Sequence, residues 1–122
     1  MHLSPDDVAL LEATVEIEIE TQADATSLAH RTIVWVVTDG PDAFIRSVNG
    51  SRARWYREVS ARPAVTIRVG DRTIPARAIA AVDTESIART SASLARKYAG
   101  DPDLASMLVP SIFDTTLRLE PA

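Results

Sequence analysis

Cysteine is absent from the 122 residues. That removes thiolate nucleophiles, redox pairs, iron–sulfur ligation and cysteine-based zinc sites, and it leaves the compartment undetermined by disulfide logic. Glycine is scarce: the four present, at positions 40, 50, 70 and 100, stand alone. Neither a GxGxxG turn nor a P-loop can be written from them, which excludes Rossmann and Walker nucleotide sites. Only His2 and His30 offer imidazole. His2 is at the end of the chain, and His30 precedes an apolar run with no serine elbow nearby, so a hydrolase triad has no support. Long apolar runs are also missing. The longest stretch without a charge is ten residues, Leu104 to Phe113, and Pro110 interrupts it. No segment can span a bilayer, and the acidic Ser4-Pro5-Asp6-Asp7 is unlike a secretion signal. These absences lead us to expect one soluble, cytoplasmic domain over residues 1–122, long enough to bury roughly two-thirds of its unfolded surface without a metal or disulfide. Any catalysis would then draw its reactivity from a bound cofactor.

Charge is present but unevenly spread. Residues 1–45 carry −8, residues 46–77 carry +6 with eight arginines, and residues 78–122 carry −2, giving the overall −4. The basic segment is a candidate for holding an anion, or else its arginines pair with the acidic first third across the fold. Nucleic acid is disfavoured as the partner by the net charge and a pI near 5.1.

Local patterns then place the elements. Ser4, Pro5 and Asp7 mark the start of a short helix within residues 1–13, with Leu3 and Val8 spaced as a hydrophobic staple. Val15 to Glu20 alternates apolar and acidic residues, as a half-buried strand does. Its three glutamates stand about 6.5–7 Å apart along one face, too far to share an ion unaided. Thr32 to Thr38 reads as a central strand buried on both faces, followed by a turn at Asp39–Asp42 and a return strand from Ala43 to Val48. Phe44, Arg46 and Val48 share one face of that return. Arg54 to Ala61 forms a helix in which Trp55 is either a core anchor or a site wall, and Arg62-Pro63 stops it. Strands follow at 64–69 and 73–82, with Pro75 at an edge or bulge. A helix from Asp83 or Thr84 ends before Gly100, a short helical segment runs from Asp101 to Leu108, and a strand from Ile112 to Glu120 closes the chain. Six strands in antiparallel neighbours, without a βαβ rhythm, give an α+β, mainly β, architecture.

The succession TIVWVV, turn, FIRSV, glycine, RWYREVSARPAVTIRVG and closing TTLRLEP resembles a family of small uncharacterised bacterial proteins among the FMN-binding split barrels. That family is distantly related to pyridoxamine phosphate oxidase and the deazaflavin-dependent nitroreductases. The likeness runs from about Val15 to Pro121. It implies a six-stranded antiparallel split β-barrel over 15–120 with peripheral helices, assembled as a homodimer with the site between subunits. By resemblance, Thr32, Ile33, Val34 and Trp35 lie along a flavin or deazaflavin ring, while Arg46, Ser47, Ser51 and Arg52 hold its phosphate. The lysine that ends the phosphate loop in the relatives is replaced by Ala53, with Arg54 beside it to take its place. The implied activity is oxidoreduction of an unknown small molecule with FMN or a deazaflavin coenzyme. The alternative is a non-catalytic binding or carrier protein on the same fold that has lost the cofactor.

Overall fold

The computed structural model describes every residue, Met1–Ala122. Helix α1 (Pro5–Glu12) starts where the capping signals put it: Ser4 Oγ accepts from the Asp7 backbone N–H at 3.1 Å, and Pro5 occupies the first turn. Leu11 and the preceding Leu3 anchor it in the core. Strand β1 (Glu16–Thr21) buries Ile17, Ile19 and Thr21 and turns its glutamates outward, the period-2 alternation of a half-buried strand.

The expected strand over 32–38 is broken in two. Strand β2 (His30–Trp35) pairs only with β1, and strand β3 (Val37–Asp39) pairs only with β4 (Asp42–Ile45). Between them, the Val36 carbonyl accepts from Lys97 Nζ at 2.7 Å and Tyr98 Oη at 3.3 Å, so it is lost to either ladder. The sheet therefore has seven strands, not six, in the order β2-β1-β5-β6-β7-β4-β3. Its two ends are consecutive pieces of one chain segment, and the antiparallel sheet wraps round to meet itself at Val36. The segment is thus not central: β2 is an edge, and Ile33 on it is 64% exposed.

Helix α2 (Arg54–Ala61) follows β4 after a loop and one 3-10 turn, and buries Trp55, Glu58 and Val59. Strands β5 (Ala64–Val69) and β6 (Arg72–Ala80) form a hairpin whose turn has Gly70 at φ +61°, a left-handed conformation that glycine takes without strain. Pro75 falls in the part of β6 that the β7 ladder, starting at Ala76, does not reach, so its missing donor costs no bond there. Helix α3 (Thr84–Lys97), capped by Asp83, lays a face of small polar residues, Ser86, Thr90 and Ser93, with Leu94, against the body of the fold. The short α4 (Leu104–Met107) follows.

The closing strand is shorter than expected. Residues Pro110–Thr115 coil as a 3-10 helix, and only Leu117–Pro121 forms β7. Thr115 and Thr116 donate their hydroxyls to the carbonyls three residues back, at 2.7 and 2.8 Å, which holds the chain out of the extended state. The return strand likewise ends at Ile45 instead of Val48. One core fills the barrel around Ile17, Ile19, Ile67 and Leu119; a second, with Phe44, Leu94, Tyr98 and Met107, lies beneath α3 and α4.

Candidate functional site

Because β2 pairs only with β1, alternate N–H and C=O groups along its other edge have no strand to meet. Beside that edge lies a cavity of about 290 Å³. Thr32, Ile33, Val34 and Trp35 form one wall. Arg46, Val48 and Asn49, which follow β4, and Trp55 of α2 also line the cavity. Asp103, Ser106 and Met107, around α4, complete the lining. The short helix was expected from the sequence, but nothing there marked its residues as part of a site. Trp55 resolves into both of its readings at once: it is 6% exposed within the barrel core and also a wall of the cavity.

The residues expected around a phosphate are placed very differently from one another. Arg46 lies on the cavity wall but is only 2% exposed. Its Nε donates to Thr116 Oγ1 at 3.0 Å, Nη1 to Ser91 Oγ and the Met107 carbonyl at 3.1 and 3.0 Å, and Nη2 to the Ile87 carbonyl at 3.3 Å. The guanidinium also lies 4.7 Å from the centre of the Phe113 ring. Burial alone pulls its pKa down to about 10, which leaves it charged at neutral pH with neutral partners only. Arg46, which the resemblance sets on a phosphate, is here engaged internally and ties β4 to α3, α4 and the segment before β7. Ser47 is buried too, its N–H on Thr115 Oγ1 and its hydroxyl on the Gly50 carbonyl. Ser51, Arg52 and Arg54 are exposed and stand outside the cavity wall.

Charge pairing accounts for part of the basic segment. Arg68 and Arg31 share Glu20 at 3.0 and 3.1 Å, and Arg72 pairs with Asp7. Arg52, Arg54, Arg57, Arg62 and Arg77 form no ion pair. Of the eight arginines from 46 to 77, two thus meet the acidic first third, and the surface around α2 keeps its positive charge.

One polar cluster escaped the sequence reading. His30 Nδ1 lies 3.1 and 3.3 Å from the two oxygens of Glu58, a carboxylate that also accepts from Thr21 Oγ1 at 2.8 Å. An ionised carboxylate only accepts, so Nδ1 carries the proton. Burial pushes the Glu58 pKa up, but Thr21, His30 and the nearby Arg54 more than offset it, and the net shift is downward. Glu58 then contributes stability that is complete above the ordinary glutamate value of 4.5 and is lost as pH falls through its lower folded value. Urea midpoints should accordingly drop in acid for the wild type, and the acid limb should flatten in Glu58→Gln. An unchanged limb would show that the carboxylate is not held in this way.

The sequence matches, over residues 7–119, a family described as uncharacterised proteins conserved in bacteria, DUF2255. The chain belongs to that family. No curated protein matches it. Among solved structures, this DUF2255 member superposes on a candidate pyridoxamine 5'-phosphate oxidase from Listeria innocua with a TM-score of 0.63 at 16% identity, covering 96% of this chain and 90% of the other. The haem storage protein HutZ of Vibrio cholerae gives a TM-score of 0.65 at 17% identity, covering 100% and 92%. An F420-H2-dependent reductase, FDR-A, gives 0.63 at 14% identity, covering 87% and 93%. At these identities the likeness establishes the fold, and the DUF2255 chain is of the split-barrel class. No helix in it is long and apolar enough to cross a membrane.

Proposed function

We propose that the cavity beside β2 takes the ring of FMN or of a deazaflavin coenzyme, and that the protein works as an oxidoreductase on a small molecule. The observation that carries this reading is the unpaired β2 edge next to a cavity flanked by Trp35 and Trp55. A flat ring with polar groups along one rim suits such a site: backbone N–H and C=O groups meet the rim, and aromatic side chains meet the faces. When bound, the coenzyme would supply hydride or electron transfer. The chain's own part is to hold the ring with Thr32–Trp35, to keep it from water, and to meet its phosphate with Arg52 and Arg54, the unpaired arginines of the adjoining loop and helix start. Arg46 and Ser47, being engaged internally, support the barrel beneath that loop.

The cavity is near the small end of ligand sites, roughly 300–1,000 Å³, and apolar groups stand exposed nearby, Ile33 at 64% and Val48 at 50%. A second copy of the chain closing over this face would complete the site and cover them. Light scattering should then report a dimer at micromolar concentration.

The loss of the phosphate-loop lysine at Ala53 and the internal use of Arg46 favour a second reading, a binding or carrier protein without flavin chemistry. Haem storage by a protein of the same fold is one precedent for such a role. The absorption spectrum of gently purified protein, followed by titration with FMN, the deazaflavin coenzyme and haem, separates the two. Flavin or deazaflavin binding upholds the oxidoreductase reading. Failure of both at about 100 μM, an affinity of millimolar or weaker, leaves the carrier reading.

A further inference from the structure

Trp35 is the last residue of β2 and a wall of the cavity, and its ring lies flat on Tyr98, with centroids 3.8 Å apart and planes 3° from parallel. Tyr98 itself does not line the cavity. It is 5% exposed, and its hydroxyl donates to the Val15 carbonyl at 2.6 Å and to that of Val36 at 3.3 Å. Lys97 reinforces the same point: its ammonium donates to the Val36 and Leu11 carbonyls at 2.7 and 2.9 Å and stands 5.5 Å from the Tyr98 ring centre. The end of α3 therefore fixes both the ring on which Trp35 rests and the backbone carbonyl next to it. An indole at a strand edge ordinarily has several rotamers open to it, and each must be given up when a ligand binds. Here the stack on Tyr98 restricts the indole, because Trp35 cannot turn without breaking it.

We infer that Tyr98 is a positioning residue: it holds the Trp35 indole as a preformed flat platform, which selects planar aromatic ligands for the cavity. The inference rests on the reading of the cavity as the binding site for a flat ring, and it adds that a residue outside the cavity governs affinity there. It also separates the two groups on Tyr98. The hydroxyl secures the fold through Val15 and Val36, whereas the ring face secures the platform.

The test uses lumichrome, the uncharged tricyclic ring of a flavin without its side chain, titrated calorimetrically into the full chain. Wild type should bind it. Tyr98→Phe keeps the ring and loses the hydroxyl, so the fold weakens while affinity stays within about threefold. Tyr98→Leu should lose about tenfold in affinity, together with the near-ultraviolet circular dichroism of the stacked pair. Should Tyr98→Leu fail to fold, Trp35→Leu against Trp35→Phe tests the platform on an intact Tyr98. Phenylalanine, which can still stack, should hold affinity where leucine loses about tenfold, and equal affinity in the two would overturn the inference. Affinity that falls equally in the Phe and Leu variants, tracking stability, would make Tyr98 merely structural and overturn the inference. So would wild-type affinity in Tyr98→Leu, or no lumichrome binding by the wild type. Lumichrome binding that depends on the Tyr98 ring, without binding of FMN or the deazaflavin coenzyme, would instead uphold the platform and defeat the cofactor reading.

Discussion

Replacing Arg46 with alanine should cost roughly 3–5 kcal/mol of folding stability, a large share of the 5–15 kcal/mol typical of a domain. The substitution removes the donor from four acceptors: Thr116 Oγ1, Ser91 Oγ and the carbonyls of Met107 and Ile87. Each buried group left without a partner costs about 1–3 kcal/mol, and the emptied volume adds a cavity term. Working against this, removing an ion from a site without a carboxylate relieves its desolvation. The hydroxyls can turn to other partners and the Ile87 carbonyl keeps its place in the α3 ladder, but the Met107 carbonyl at the end of α4 is left without its donor, and with the emptied volume the loss prevails. Arg46→Met, which restores volume without donors, should recover part of it. Urea denaturation followed by circular dichroism gives the comparison, and a loss under about 1 kcal/mol in Arg46→Ala would show that the four bonds contribute little.

Trp55→Ala should be comparably damaging, about 3–5 kcal/mol, because the indole is part of the barrel core and packs edge-on against Tyr56 with centroids 6.1 Å apart. It should also enlarge the cavity. Trp55→Phe separates the two roles: the smaller ring retains most of the packing but alters the cavity wall. We expect it to unfold at a urea midpoint near that of the wild type while FMN affinity changes severalfold. If stability and affinity fell together in Trp55→Phe, core packing alone would account for this residue.

How much of this was legible in the sequence depends on whether the cause of each feature was local. The cap of α1, the limits of α2 and the β5–β6 hairpin were all readable, because Ser4, Arg62-Pro63 and Gly70 act on their immediate neighbours. The break at Val36 was not, since the groups that take its carbonyl, Lys97 and Tyr98, are some sixty residues away. The buried face of α3 was hidden by being made of Ser86, Thr90 and Ser93, which look like solvent-facing residues. Thr115 and Thr116 carry strand propensity, yet their hydroxyls hold the 3-10 coil. Arg46 is the instructive case at the site. The alternation that puts it on the same face as Phe44 already implies burial, whereas the resemblance alone sets it on a phosphate. The β2 wall was found by resemblance, and its free edge became visible only with the strand pairing.

Strand β7 lies between β6 and β4 in the sheet, although it is the last of the seven strands in chain order. During synthesis on the ribosome, β1, β2, β5 and β6 can pair as they emerge, but the β3–β4 hairpin has no sheet neighbour until β7 appears to join it to β6. The nascent barrel therefore stays open until Leu117–Pro121 leaves the exit tunnel, and closure is a late, non-local event instead of one that grows with the chain.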